Sequence, residues 1–287
     1  MDWITGEKFR GIADFTYFPN KELPDNYYNL VNTLDLTNLK DVNIVYTNTN
    51  AASYFLNVIR HVKQKFILIT HSCDCSVNWG CIARPDGSGK TQSIEPYELP
   101  SNLVKWYSKN VNVINHRIES IPIGLENDRW FPGLMKKEKM LAKLNETRKY
   151  RNLAYLNVNP QTNPDERAPV ISLLKNQSYV THQQGSNGSN FDSYLDNIYN
   201  HKFVVCPEGN GIDTHRTWEA LYMGTIPIEK RNLNNRFYKD LPICFVDNWN
   251  EVTKDFLNSE FDRIKSKRWN FKMLTFEYWK DKILLTK

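Results

Sequence analysis

The segment FVVCPEGNGIDTHRTWEALYMGTIPI, Phe203 to Ile228, joins two short apolar runs through a loop with Pro207, Gly209 and Gly211 and a helical stretch. The runs Phe203 to Cys206 and Ile226 to Glu229 read as buried strands, and Gly224 ends the helix between them. Either Asp213 or Thr214 can cap the helix start. Strand, loop, helix and strand at this spacing imply a parallel sheet covered by helices.

The same alternation extends to both sides. Before the segment, Leu153 to Val158 and Tyr179 to His182 read as strands, with helices over Asp165 to Leu174 and Phe191 to Ile198; beyond it, Ile243 to Val246 adds a strand. The first half repeats the pattern, with strands at Asp41 to Tyr46 and Phe66 to Thr70 and a helix over Ala51 to Arg60. Helix is expected again around Leu103 to Tyr107, then short strands at Val111 to Ile114 and Ser120 to Ile123. The charged stretch KKEKMLAKLNETRKY, Lys136 to Tyr150, marks the domain boundary. The expected organisation is an N-terminal α/β domain over 1–135 and a C-terminal α/β domain over 136–287, with the final helix packing back on the first. Two Rossmann-like domains of this kind face a cleft, the usual place for a small ligand.

The central segment has the outline of a phosphate and ribose site. A helix N-terminus offers free N–H groups to an anion, and the loop residues Gly209, Asn210 and Gly211 permit close backbone approach. Thr214, His215 and Arg216 begin the helix, where Arg216 can make a bidentate contact to a diphosphate. Glu219, three positions on, shares its face and can reach a hydroxyl pair; the alternative is a simple Arg216–Glu219 ion pair on the helix surface. Arg167 follows the polar loop after Leu153 to Val158 and reads either as a second diphosphate contact or as a helix-surface charge.

CPEGNGIDTHRTWEALYMGTIPI, residues 206 to 228, resembles the exostosin-like and fucosyltransferase-like glycosyltransferases. Their nucleotide-binding domains share the strand, loop, Arg-containing helix ending in Glu-Ala-Leu, and Gly-x-Ile-Pro-Ile turn. The resemblance implies a GT-B architecture, with Arg216 on the donor diphosphate and Glu219 on ribose or the donor sugar. It further implies a UDP- or GDP-sugar as substrate, a glycan or glycoconjugate as acceptor, and no cofactor. Those families often carry Val or Ile after Ile-Pro-Ile, where this chain has Glu229. A nucleotide- or carbohydrate-binding module without catalysis is the alternative function.

FILITHSCDCSVNWGC, Phe66 to Cys81, places His71 and Asp74 just past a buried strand, where α/β proteins put ligands. Either can take the proton of an attacking acceptor hydroxyl; Asp74 matches the carboxylate bases of inverting transferases, and His71 has the better unperturbed pKa. The spacing of His71, Cys73, Cys75 and Cys81 lacks a zinc knuckle, so reduced cysteines are expected there and no metal site is assigned. The chain contains no Asp-x-Asp element of the metal-dependent transferases. ARPDGSGKTQ, Ala83 to Gln92, has GSGKT but not the Walker spacing.

Composition narrows the class further. Forty per cent hydrophobic residues and the absence of a long apolar run indicate a globular protein without a membrane span. The N-terminus has no signal-peptide pattern, and five cysteines fit a reducing compartment, so a cytoplasmic location is expected. A net charge of +5 attracts anionic ligands, but no nucleic-acid motif accompanies it. In the aromatic, basic tail, Lys265, Lys267, Arg268 and Trp269 read as a packing face with a solvated side, or as a weak peripheral membrane contact.

Overall fold

The computed structural model describes residues 1–17, 36–77, 99–128, 133–185 and 190–287. The chain divides into two compact units: Met1–Ile123 with Thr275–Lys287 form unit 1, and Gly124–Leu274 form unit 2. Among the described residues, each unit is α/β and carries a parallel sheet of five strands.

Unit 1 runs α1 (Gly6–Gly11), β1 (Phe15–Thr16), β2 (Val42–Thr47), α2 (Ala52–Ile59), β3 (Lys65–Thr70), β4 (Leu103–Ser108) and β5 (Ile118–Ser120). The strands lie side by side in chain order. Phe66, Ile67, Leu68 and Ile69 of β3 are all fully buried, so this strand is covered on both faces. That explains a continuous apolar run instead of an alternating one. Burial of this kind contributes about 1.5–3 kcal/mol for each large side chain. Ala52, Phe55, Leu56 and Ile59 form the buried stripe of α2.

Three sequence expectations need correction in this unit, the smallest being the strand expected at Ser120 to Ile123, which runs Ile118–Ser120 because it pairs with Trp106 to Ser108. Leu103 to Tyr107 is a strand, not a helix, because Phe66 to Thr70 of β3 pairs with it in parallel. Its apolar positions fit either period over so short a run. Val111 to Ile114 forms no strand: Val111 is buried, but Ile114 is 77% exposed and has no sheet neighbour to pack against.

Unit 2 runs α3 (Gly133–Leu144), β6 (Asn152–Leu156), α4 (Pro164–Leu174), β7 (Val180–His182), α5 (Phe191–Tyr199), β8 (His201–Val205), α6 (His215–Tyr222), β9 (Ile226–Lys230), β10 (Cys244–Val246) and α7 (Lys254–Ser266). The chain ends on α8 (Phe276–Leu284), which groups with unit 1. The strand order in unit 2 is β10-β9-β8-β6-β7. The sheet thus starts in the middle with β6, adds β7 on one side, and then reverses to add β8, β9 and β10 on the other. Ala154, Leu156, Phe203, Val205, Ile226 and Ile228 fill its core with Val170 and Leu174 of α4 and Leu257 and Ile264 of α7.

Cys75 is disulfide-bonded, whereas Cys73, Cys206 and Cys244 are free. The expectation of reduced thiols throughout therefore fails, since an odd cysteine count does not exclude a bridge. The cysteine pattern then says nothing about compartment. Among the described residues, no helix is long and apolar enough to cross a membrane. Cys81 and the loop Ala83 to Gln92 lie outside the described residues.

Candidate functional site

A reversal of strand order opens a crevice at the C-terminal ends of the two strands that flank it. In unit 2 these are β6 and β8. The loop after β6 holds Asn159 and Asn163, and the loop after β8 holds Glu208 and Gly209. Arg167, on the first turn of α4, ties the two together. Its Nε donates to the Glu208 carbonyl at 2.9 Å and its Nη1 to the Asn159 carbonyl at 3.1 Å. Asn163 Nδ2 adds a bond to the Gly209 carbonyl at 2.9 Å. A Cβ on Gly209 would sit 2.8 Å from Arg167 Nη2, so a side chain there would push the end of the guanidinium aside.

The second arginine comes from α6. This helix is fixed at its far end by a Schellman arrangement, with Thr225 N–H donating to Ala220 O at 2.9 Å and Gly224 N–H to Leu221 O at 3.0 Å. Gly224 has φ +66°, a conformation that favours glycine. Arg148 donates to the Gly224 and Met223 carbonyls, placing a cation at the negative end of the helix. At the near end, the Thr214 side chain makes no cap bond, and its Oγ1 is buried without a partner. Arg216 Nε is also buried without a partner.

The two guanidiniums feel each other. Burial, and then the Arg216 charge, push Arg167 down to about 10. Burial opposes the charge of Arg216 as well, while Tyr194, Cys206 and Glu219 in their ionised forms favour it and raise it above the ordinary arginine value. Neither arginine is ion-paired with a carboxylate among the described residues. Arg216 thus brings a buried Nε without a partner to the end of the sheet where Arg167 ties the two loops together, an arrangement whose charge an anion would satisfy.

Glu219 is buried, and its Oε2 accepts from the Tyr194 hydroxyl at 2.6 Å. The Arg216–Glu219 surface ion pair, the alternative for these residues, is absent. Asp213 accepts from Trp218 Nε1 at 2.9 and 3.1 Å, which anchors the helix start to a buried indole. His215 Nδ1–H donates to the Gly124 carbonyl at 2.7 Å, leaving Nε2 3.7 Å from Glu126. Asn210 is exposed at the loop tip, and Gly211 accepts from the Gly209 N–H at 3.0 Å.

Next to Arg216 and Asp213 on this side of the sheet lies a buried carboxyl, that of Glu229. Glu229, at the end of β9, accepts from Thr217 Oγ1 and, at 3.1 Å, from Asn235 Nδ2. Burial pushes its carboxyl up to about 7, helped by Asp213 and Glu208 and opposed by those two hydrogen bonds. Asn232 continues the chain to Glu208 Oε1 at 3.0 Å. A polar network thus links Thr217, beside Arg216, to the loop that holds Arg167.

His71 and Asp74 belong to unit 1. His71 is buried; its Nδ1 accepts from the Ser72 N–H at 2.8 Å, which leaves Nε2–H to donate to the Pro122 carbonyl at 3.2 Å. Both nitrogens are committed to the backbone. Asp74 has a side chain 53% exposed, with Lys109 Nζ 3.8 Å away. Among the described residues, no cluster of three or more His, Cys, Asp or Glu is placed to hold a metal. Trp269 in the basic tail donates from Nε1 to the Ile264 carbonyl at 2.8 Å and packs on the unit 2 core. With Lys267, whose Nζ lies 4.1 Å from its ring centre, it walls a cavity of about 370 Å³ that includes Arg231, Lys239 and Phe245.

Tyr194 is the site residue that sequence reading missed. Its signal was a tyrosine in the helix Phe191 to Ile198, whose hydroxyl needs a partner when buried. No protein-family model matches the chain, and no curated protein sequence matches it.

Proposed function

We propose that the chain is a nucleotide-sugar-dependent glycosyltransferase of the GT-B type, using a UDP- or GDP-sugar. The observation that carries this reading is that Gly209, at the sheet's reversal point, lies between Arg167 and the start of the helix that bears Arg216, with Arg216 Nε and Thr214 Oγ1 buried and unpartnered. A diphosphate supplies the missing charge and acceptors. In the transfer step, the acceptor oxygen bonds to the anomeric carbon as the bond to the nucleotide diphosphate breaks. The two guanidiniums then stabilise the charge that develops on the leaving oxygen. The remaining oxygen of Glu219 is free for a ribose or sugar hydroxyl.

The acceptor hydroxyl loses its proton to a base, and Asp74 is proposed for that role. His71 fits it poorly, because its Nδ1 lone pair already accepts from Ser72. Inversion without a metal follows the families that the segment from 206 to 228 resembles.

Thermal unfolding with UDP, GDP, CMP and their sugars tests the reading, followed by product analysis with the stabilising donor. A ligand at a hundred times its Kd should stabilise by about 2.7 kcal/mol. No shift with any nucleotide would falsify the proposal, and binding without turnover would point to the non-catalytic module. Asp74→Asn should keep the nucleotide-induced shift while lowering turnover by about a hundredfold or more. Undiminished turnover in that variant would remove Asp74 as the base.

A further inference from the structure

Arg216 and Glu219 stand three residues apart on α6, a spacing at which opposite charges readily close into an ion pair. Here they stay apart. Glu219 Oε2 is taken by the Tyr194 hydroxyl at 2.6 Å, and Arg216 Nε is left without a partner. The Tyr194 ring centre also lies 5.9 Å from Arg216 Cζ. One phenol therefore engages both members of the pair, by a hydrogen bond to one and its ring to the other.

We infer that Tyr194 is a positioning residue that holds Glu219 off Arg216 and so keeps the guanidinium open to a phosphate. The inference rests on the reading of the two arginines as a diphosphate site. A neutral donor satisfies the carboxylate without adding a third cation, and the aromatic ring offers the guanidinium a partial replacement for lost hydration. Burial and the neighbouring Glu219 push the phenol well above its usual range, so it remains a donor at any working pH. Tyr155, whose ring lies 6.3 Å away, does not duplicate the role, because its hydroxyl donates to Gln183 Oε1 at 2.8 Å.

Titration calorimetry of the full chain with inorganic pyrophosphate tests this, since that probe has no ribose for Glu219 to hold. Four proteins are compared: the parent, Tyr194→Phe, Glu219→Gln and the double variant. Phenylalanine keeps the ring and its packing against Phe191, so only the hydroxyl is lost. Tyr194→Phe should weaken pyrophosphate binding about tenfold, because the released carboxylate closes onto Arg216. In the Glu219→Gln background the same substitution should change affinity less than about twofold, since a neutral amide does not compete for the guanidinium. A merely structural tyrosine would give the same loss in both backgrounds. Equal loss in both, or none in either, overturns the inference and leaves the diphosphate site standing. A parent protein that binds no pyrophosphate overturns both. Should Tyr194→Phe not fold, Tyr194→Leu enters the same cycle and is judged by the same two comparisons.

Discussion

Replacing Arg216 with methionine is expected to weaken nucleoside diphosphate binding by about 3 kcal/mol, on the order of a hundredfold, while leaving the unliganded protein within about 1 kcal/mol of its parent stability. The two halves have one cause. In the free protein the guanidinium has a buried Nε without a partner and no carboxylate ion pair among the described residues. Removing one member of a buried ion pair costs about 3–5 kcal/mol, because the other charge is stranded. No such partner is stranded here. Arg167 is instead relieved of the repulsion that helps push it down to about 10. The Tyr194 and Cys206 groups that favour the Arg216 charge do so as anions, and at neutral pH both are protonated. Glu219 remains, with one oxygen already satisfied by Tyr194. Calorimetric titration with UDP and GDP, paired with urea unfolding of the unliganded protein, measures both. A loss of several kcal/mol in stability would show that Arg216 serves the fold, and unchanged affinity would show that the phosphate does not meet it.

Most of the strand and helix pattern could be read from the sequence because hydrophobic period is a local property. FILIT and FVVC are too short and too apolar for a surface helix, and both are strands, at β3 and β8. LVKWYS has apolar positions that suit both periods; pairing with β3 makes it a strand, and pairing is not local. Arg167, Arg216 and Glu219 were visible for the same local reason, each standing in the first or second turn of a helix after a polar loop. What sequence could not supply was their convergence. The order β10-β9-β8-β6-β7 makes neighbours of β6 and β8 and so brings the loops that follow them together, and nothing in the spacing of strands along the chain records that order. Tyr194 was invisible as a site residue because its partner Glu219 is 25 positions away on another helix.

Glu229→Gln should stabilise the protein at pH 8 by about 2 kcal/mol and leave it nearly unchanged below pH 4.5. Burial raises the carboxyl from 4.5 in the unfolded chain to about 7 in the fold. Below 4.5 both states hold the proton, so the group contributes no difference. Between 4.5 and 7 the unfolded chain releases a proton that the folded protein keeps, and stability falls as pH rises. Above 7 both are ionised, and the folded state bears the whole cost, at most about 3 kcal/mol for a shift of this size. Glutamine abolishes the titration while retaining the contacts: its oxygen can accept from Asn235 Nδ2, and its amide can donate to Thr217 Oγ1, with the threonine reversing its role. The gain is set below the full cost because that reorientation is imperfect. Urea unfolding of parent and variant at pH 4.5, 6 and 8 measures the widening gap, and a gap that does not change with pH would mean that Glu229 titrates alike in both states. Glu229 is thus a carboxyl that costs stability once the pH passes its folded-state value. Its physical use lies in what it joins: through Thr217 it braces the turn that carries Arg216, and through Asn235 and Asn232 it reaches Glu208, whose carbonyl holds Arg167. A valine could fill that volume, but it could not connect the two arginine-bearing elements.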